Sequence, residues 1–260
     1  MLEAEYGVFC YYRDATSEPE TMAVEVLDAQ WDALIERLQD LQQSVSNIKS
    51  KFGCSPKLND VTILVDPMQP PYAVLALLLM MSEHLAVSIA SHTHSTVSKA
   101  PKHFMNILNA LPKPTAPSCN VYVIWKAVGS DLEIVVSPVS HTKLLGEVTA
   151  VRYLSRLLES QNKEFKLLEN FSLDFCFKSD HWMDKAYCQA YRGSKNAQGL
   201  VQTLETHLRK QPYLLGDTIA AADFCMFSVL TNLQLKLSSS VEKWYNKCKS
   251  SKWIAPFTSA

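Results

Sequence analysis

The strongest constraint on this chain is a run of apolar residues between positions 24 and 52. Val24, Leu27, Trp31, Leu34, Leu38, Leu41, Val45, Ile48 and Phe52 alternate spacings of three and four without a break. A seam that recurs every seven residues over about four heptads is the pattern of a coiled-coil helix. It is narrower than the face that an ordinary surface helix buries. Val24, Trp31, Leu38, Val45 and Phe52 take the a positions, and Leu27, Leu34, Leu41 and Ile48 the d positions. Ser17 with Glu20 reads as a capping box at the start, and Gly53 followed by Pro56 ends the helix. Trp31 and Phe52 fit a symmetric two-stranded core poorly. The flanking e and g residues (Asp28, Gln30, Arg37, Gln42, Lys49, Lys51) carry no self-matching charge pattern, so a different chain is the expected partner. Ile35 at an e position widens the stripe and leaves a plainer reading open, a helix lying on its own globular domain.

The bulk features narrow the class. A length of 260 residues allows one large domain or two small ones, and 47% hydrophobic content supplies a core. With 25 basic against 26 acidic residues there is no global field to attract nucleic acid or anionic lipid, so proteins or small molecules are the expected partners. The longest apolar run, Tyr72 to Met81, is half of the ~20 residues that a membrane span needs. Glu3 and Glu5 stand where a signal peptide would be basic, and the seven cysteines show no CxxC or metal spacing. The expectation is a cytosolic protein with free thiols, a nuclear fraction being allowed, with no membrane contact and no direct contact with nucleic acid. Lys243, Lys247, Lys249 and Lys252 read as a solvated face.

Four regions follow. Residues 1–16 are an aromatic lead (Tyr6, Phe9, Tyr11, Tyr12), and residues 17–53 are the seam helix. From residue 60 the period shortens to that of strands: Val61–Val65, Val87–Ala90, Val121–Trp125 and Leu132–Val136, with apolar helices after Pro70-Pro71 and after Gly146. Residues 60–160 thus form an α/β, thioredoxin-like half, and residues 161–260 an all-α half with helices near 195–209 and 221–230.

The run Pro212-Tyr213-Leu214-Leu215-Gly216-Asp217-Thr218-Ile219-Ala220-Ala221-Ala222-Asp223 resembles the signature of the glutathione-transferase family, a glycine turn leading into a capped, buried helix. Asp223 is in place, whereas Ala220 stands where the family has a capping Ser or Thr, a change worth about 1 kcal/mol. Further motifs narrow the likeness: Pro70-Pro71, Glu83-His84, His92-Thr93-His94-Ser95, Ile124-Trp125-Lys126, Arg152-Tyr153-Leu154 and Ile254-Ala255-Pro256-Phe257. With the seam helix, they resemble the glutathione-transferase-like scaffold proteins of the animal multi-tRNA-synthetase assembly. That resemblance implies a lead around Cys10, Tyr11, Tyr12 and Arg13 that binds lysyl-tRNA synthetase. It implies a seam that engages coiled-coil components, arginyl-tRNA synthetase among them. The transferase-like domain would pair with glutamyl-prolyl-tRNA synthetase through the segment after His94 and the helix bearing Arg152 and Tyr153, and would also contact aspartyl-tRNA synthetase.

Catalysis is not expected. A transferase of this family needs a Tyr, Ser or Cys after the first strand, a cis-proline before the third, and a Glu/Gln-Ser pair opening the third helix. Here Asp66-Pro67-Met68-Gln69-Pro70 follows Val65, Ser118-Cys119-Asn120 precedes Val121, and Gly146-Glu147 replaces the pair. No catalytic residue and no cofactor is assigned. His92 and His94 share a strand face as zinc ligands would, but nearby spacing supplies no third ligand, so no metal is assigned. The two other readings are an atypical glutathione-dependent transferase relying on Tyr72 and a coiled-coil homodimeric adaptor outside translation.

Overall fold

The computed structural model describes residues 30–44 apart from 32 and 42, 58–136 apart from 130, 143–161, 167, 172–193 and 197–258. The expectations placed on Cys10, Tyr12, Arg13, Ser17, Glu20, Leu27, Val45 and Ile48 fall outside these residues. The chain divides into two units at Ser55–Pro56, each described by itself.

In the first unit the described residues of 30–44 are helical (α1). Trp31, Leu34, Leu38 and Leu41 are 59, 48, 57 and 57% exposed, and Ile35 beside them is 49% exposed. Four consecutive residues of the nine in the seam are therefore exposed, as are the other described residues of α1.

The second unit opens with β1 (Val61–Val65), whose odd positions are buried and even positions half-buried, as alternation requires. Then come α2 (Tyr72–His84), β2 (Val87–Thr93), α3 (Lys102–Asn109), β3 (Cys119–Trp125), β4 (Glu133–Val135), β5 (Lys143–Leu145) and α4 (Glu147–Gln161). The strands form one sheet in the order β2-β3-β1-β4-β5. β3 runs parallel to both β1 and β2, while β4 and β5 run antiparallel. The sequence reading sought a cis-proline in the turn before Val121, whereas the antiparallel pairing with β1 is made by β4, which residues 126–132 precede, again without proline. β5 is an additional strand. Its three residues are mostly exposed, so they carry no alternation to read.

Edge strand β2 is closed by α3. Asn109 Oδ1 accepts from Ser91 N at 2.8 Å and its Nδ2 donates to Ser91 O at 3.1 Å, covering backbone groups that would otherwise invite another strand. Buried Trp125 donates from Nε1 to Ser91 Oγ at 2.9 Å and stacks on Phe104 of α3 at 5.5 Å.

The helical half comprises α5 (Leu173–Arg192), α6 (Ala197–Leu208), α7 (Ala221–Leu233), α8 (Ser239–Lys249) and α9 (Ala255–Thr258). α2 and α7 are apolar almost all round, and each is buried along nearly its whole length. They pack on each other and on α4, so one core runs through both halves of this unit. The chain's last helix returns to the first half: Phe257 is buried beside Phe104, and His103 Nε2 lies 3.0 Å from Pro256 O. Among the described residues no helix is long and apolar enough to cross a membrane.

Candidate functional site

The site follows from two prolines. Pro70 and Pro71 have no N–H, and Pro71 as N-cap offers no side-chain acceptor, so the first free amides of α2 must find partners elsewhere. Tyr72 N reaches Pro70 O at 3.0 Å, and the further partners come from other helices. Ala73 N donates to Glu147 Oε1 at 2.9 Å, and Tyr72 N donates to Ser228 Oγ at 3.1 Å. Ser228 Oγ in turn donates to Glu147 Oε2 at 2.8 Å. Asn232 of α7 closes the ring, its Nδ2 donating to Pro70 O at 3.1 Å.

Glu147 is also the first residue of α4. Its carboxylate therefore lies at the positive ends of two helices, positions that ordinarily attract a ligand's anionic group. Burial pushes its pKa up to about 7, against the hydrogen bonds from Ser228, Ala73 and Val74 that favour the charged form. Gly146, just before it, has φ +91°, and a Cβ there would lie 2.9 Å from the Tyr187 ring, so the start of α4 requires glycine on two counts.

Beside this carboxylate is a cleft of about 120 Å³, bordered by Gln69, Pro71, Asp131, Glu147, Cys225 and Asn232 among others. Sites for small ligands usually enclose ~300–1,000 Å³. Cys225 is its one thiol, and burial, reinforced by Glu147, pushes that thiol far above its usual range. A thiolate does not form there readily. Tyr72, the remaining hydroxyl near α2, does not line the cleft. Its ring packs edge-on against Phe104 and Phe227, and burial, with Tyr245 beside it, raises its pKa. Asp66 Oδ1 accepts from Met68 N at 2.8 Å and shapes the turn after β1.

The other positions singled out in the sequence have distinct places. Asp223 is fully buried at the start of α7. Its Oδ2 accepts from Ala220 N at 3.0 Å, and its Oδ1 accepts from Leu214 N at 3.0 Å and from Trp244 Nε1 at 2.8 Å. Burial pushes its pKa up to about 6 against those donors. The missing hydroxyl at Ala220 is offset in part by the backbone, Asp223 N donating to Ala220 O at 3.0 Å. Gly216 has φ +132° in the turn that brings Tyr213 N to Gly216 O. Arg152 reaches across to α5 and binds Asp180 at 2.8 Å and Asp184 at 2.9 Å, and Tyr153 is half-buried. His92 and His94 are exposed, with His94 Nδ1 held by Thr96, while His103 is joined to Pro256 O as above. Among the described residues no cluster of three or more His, Cys, Asp or Glu is placed to hold a metal ion.

Sequence reading missed the roles of Glu147, Ser228 and Asn232. It took Glu147 only as a lost hydroxyl. Two signals were present: paired prolines leave amides that need an acceptor, and Ser228 is a hydroxyl within the apolar run Phe224–Leu230.

Residues 56–144 match the family model of a thioredoxin-like domain, and residues 169–257 that of the glutathione S-transferase C-terminal domain. Over 210 residues the chain is 26% identical to a Homo sapiens protein named aminoacyl tRNA synthase complex-interacting multifunctional protein 2, a match covering 78% of this chain and 62% of that protein. A Drosophila melanogaster protein with the same name, marked probable, is 25% identical over 250 residues, covering 85% of this chain and 72% of its own length. A solved glutathione S-transferase from Sinorhizobium meliloti 1021 is 13% identical and covers 77% of this chain and 93% of its own, with a TM-score of 0.49. The chain thus has a thioredoxin-like domain followed by a glutathione-S-transferase C-terminal domain, and its curated homologues at 24–27% identity are, across species, aminoacyl tRNA synthase complex-interacting multifunctional protein 2.

Proposed function

We propose that this chain is a non-catalytic scaffold that helps to assemble and stabilise a cytosolic aminoacyl-tRNA-synthetase complex. The observation that carries this reading is the seam of α1, where Trp31, Leu34, Leu38 and Leu41 are each about half exposed in the register of a coiled coil. A helix with that stripe gains stability by burying it on a partner helix. The names of the homologues, which mark interacting proteins and not enzymes, point the same way. The cleft supports it from the other side: the chain's own carboxylate holds the helix end that a thiol-handling site would use, and about 120 Å³ is too little for a tripeptide.

The partners proposed are lysyl-tRNA synthetase for the lead around Cys10, Tyr12 and Arg13, and arginyl-tRNA synthetase among the coiled-coil components for the seam. Glutamyl-prolyl-tRNA synthetase and aspartyl-tRNA synthetase are proposed for the transferase-like unit, the α4 face with Arg152 and Tyr153 included. Modules on one chain multiply through effective concentration, so no single contact has to be tight. Affinity capture from cytosol with the full chain and with a chain lacking residues 1–53 tests this. Loss of lysyl-tRNA synthetase on truncation, with the glutamyl-prolyl enzyme retained, is the expected result. Capture of neither synthetase by the full chain refutes the reading.

A further inference from the structure

Between α5 and the C-terminal end of α6 lies a groove of about 770 Å³ that plays no part in the site above. Phe177 on its wall is 73% exposed, whereas Trp182 at its base is buried, with the Lys185 ammonium 4.7 Å from its ring centroid. Lys178, Lys210 and His181 also line it, and no acidic residue does. The acids nearby on these two helices are engaged elsewhere. Asp180 and Asp184 bind Arg152, and Glu205 binds Arg209. Asp174 binds Lys178 at 2.6 Å, leaving Lys185 and Lys210 as the cations of the groove without a carboxylate among the described salt bridges. An exposed aromatic beside two lysines that have no carboxylate among the described salt bridges is complementary to a ligand that is both apolar and anionic.

We propose that this groove docks an acidic segment of a partner protein, seating one of its aromatic or aliphatic side chains against Phe177 while its carboxylates meet Lys185 and Lys210. A peptide suits it better than nucleic acid. Two free lysines replace few phosphate counterions, and the chain as a whole is close to neutral, so polyelectrolyte attraction is weak, whereas an apolar anchor uses the aromatic wall directly. The inference does not depend on which synthetases the chain joins.

The test is fluorescence anisotropy of a labelled Glu-Asp-Leu-Phe-Glu-Asp-Glu peptide titrated with the full chain at low salt. Saturable binding is expected, weakened about tenfold by K185E/K210E and about threefold by Phe177→Ala. K210E alone changes only an exposed residue and keeps the test open if the double variant fails to fold by circular dichroism. Four results overturn the proposal: no saturation at millimolar peptide, affinity unchanged in both K210E and Phe177→Ala, tighter binding of a uridine-rich single-stranded RNA through the same lysines, or a dimer in sedimentation that K185E/K210E dissociates.

Discussion

Two helices in the second unit, α2 and α7, begin on a buried or partly buried carboxylate, and they differ in where that carboxylate comes from. Asp223 sits within the first turn of α7 and bonds back to Ala220, with Leu214 and Trp244 added. Glu147 is 74 positions away from Ala73, whose amide it takes, and it stands at the head of a different helix. The local carboxylate organises the turn and the helical half. The distant one joins α2, α4 and α7 across the core. Burial raises the pKa of both, so each is held by geometry against its own desolvation.

This comparison can be broken by substitution. Asp223→Ala leaves two buried amides and the Trp244 indole N–H without an acceptor and should cost about 3–5 kcal/mol in chemical denaturation. Glu147→Ala strands one amide and the Ser228 hydroxyl beside a cleft that water can enter, so about 2–3 kcal/mol is expected. If Glu147→Ala proved the costlier change, the distant carboxylate would be the main organiser of the fold.

A pH series sharpens the contrast. Both groups bind a proton more tightly folded than unfolded, with values of about 6 against 3.8 for Asp223 and about 7 against 4.5 for Glu147. The folded state therefore holds more protons in these windows, and stability falls as pH rises from about 4 to about 7, then levels off. Glu147→Gln should remove the fall between pH 6 and 8 and roughly halve that between pH 4.5 and 6, where Asp223 alone then contributes, as read from denaturation midpoints at those three pH values. A rise in stability across that range would contradict the assignment. A smaller effect is expected from Gly146→Ala, about 1–2 kcal/mol, because the φ of +91° disfavours a side chain and the Tyr187 ring must move aside. Gly216→Ala should cost less, since only the backbone angle opposes it and the space is open.

The same contrast explains what was legible in the sequence. The glycine turn and Asp223 could be read because turn, cap and helix lie within a dozen residues, and α2 could be bounded because prolines start it. The seam from Val24 to Phe52 could be read as a period without any tertiary knowledge, and its described residues are helical and exposed. The role of Glu147 could not be read, because its partners are set by how three helices converge. The direction of β3 could not be read for a similar reason: Val121–Trp125 has the alternation of any half-buried strand, and its neighbours are fixed by crossovers. The groove beside Phe177 is invisible to periodicity, since Lys185 lies on α5 and Lys210 in the turn after α6, 25 positions further along the chain.

The central claim is that this transferase-like unit handles no thiol, because its own Glu147 occupies the helix end where one would be held. Titration calorimetry of glutathione into the full chain, carried to about 10 mM, tests it most directly. No saturable heat is predicted. Saturable binding that Tyr72→Phe abolishes, accompanied by conjugation of an electrophile, would contradict it.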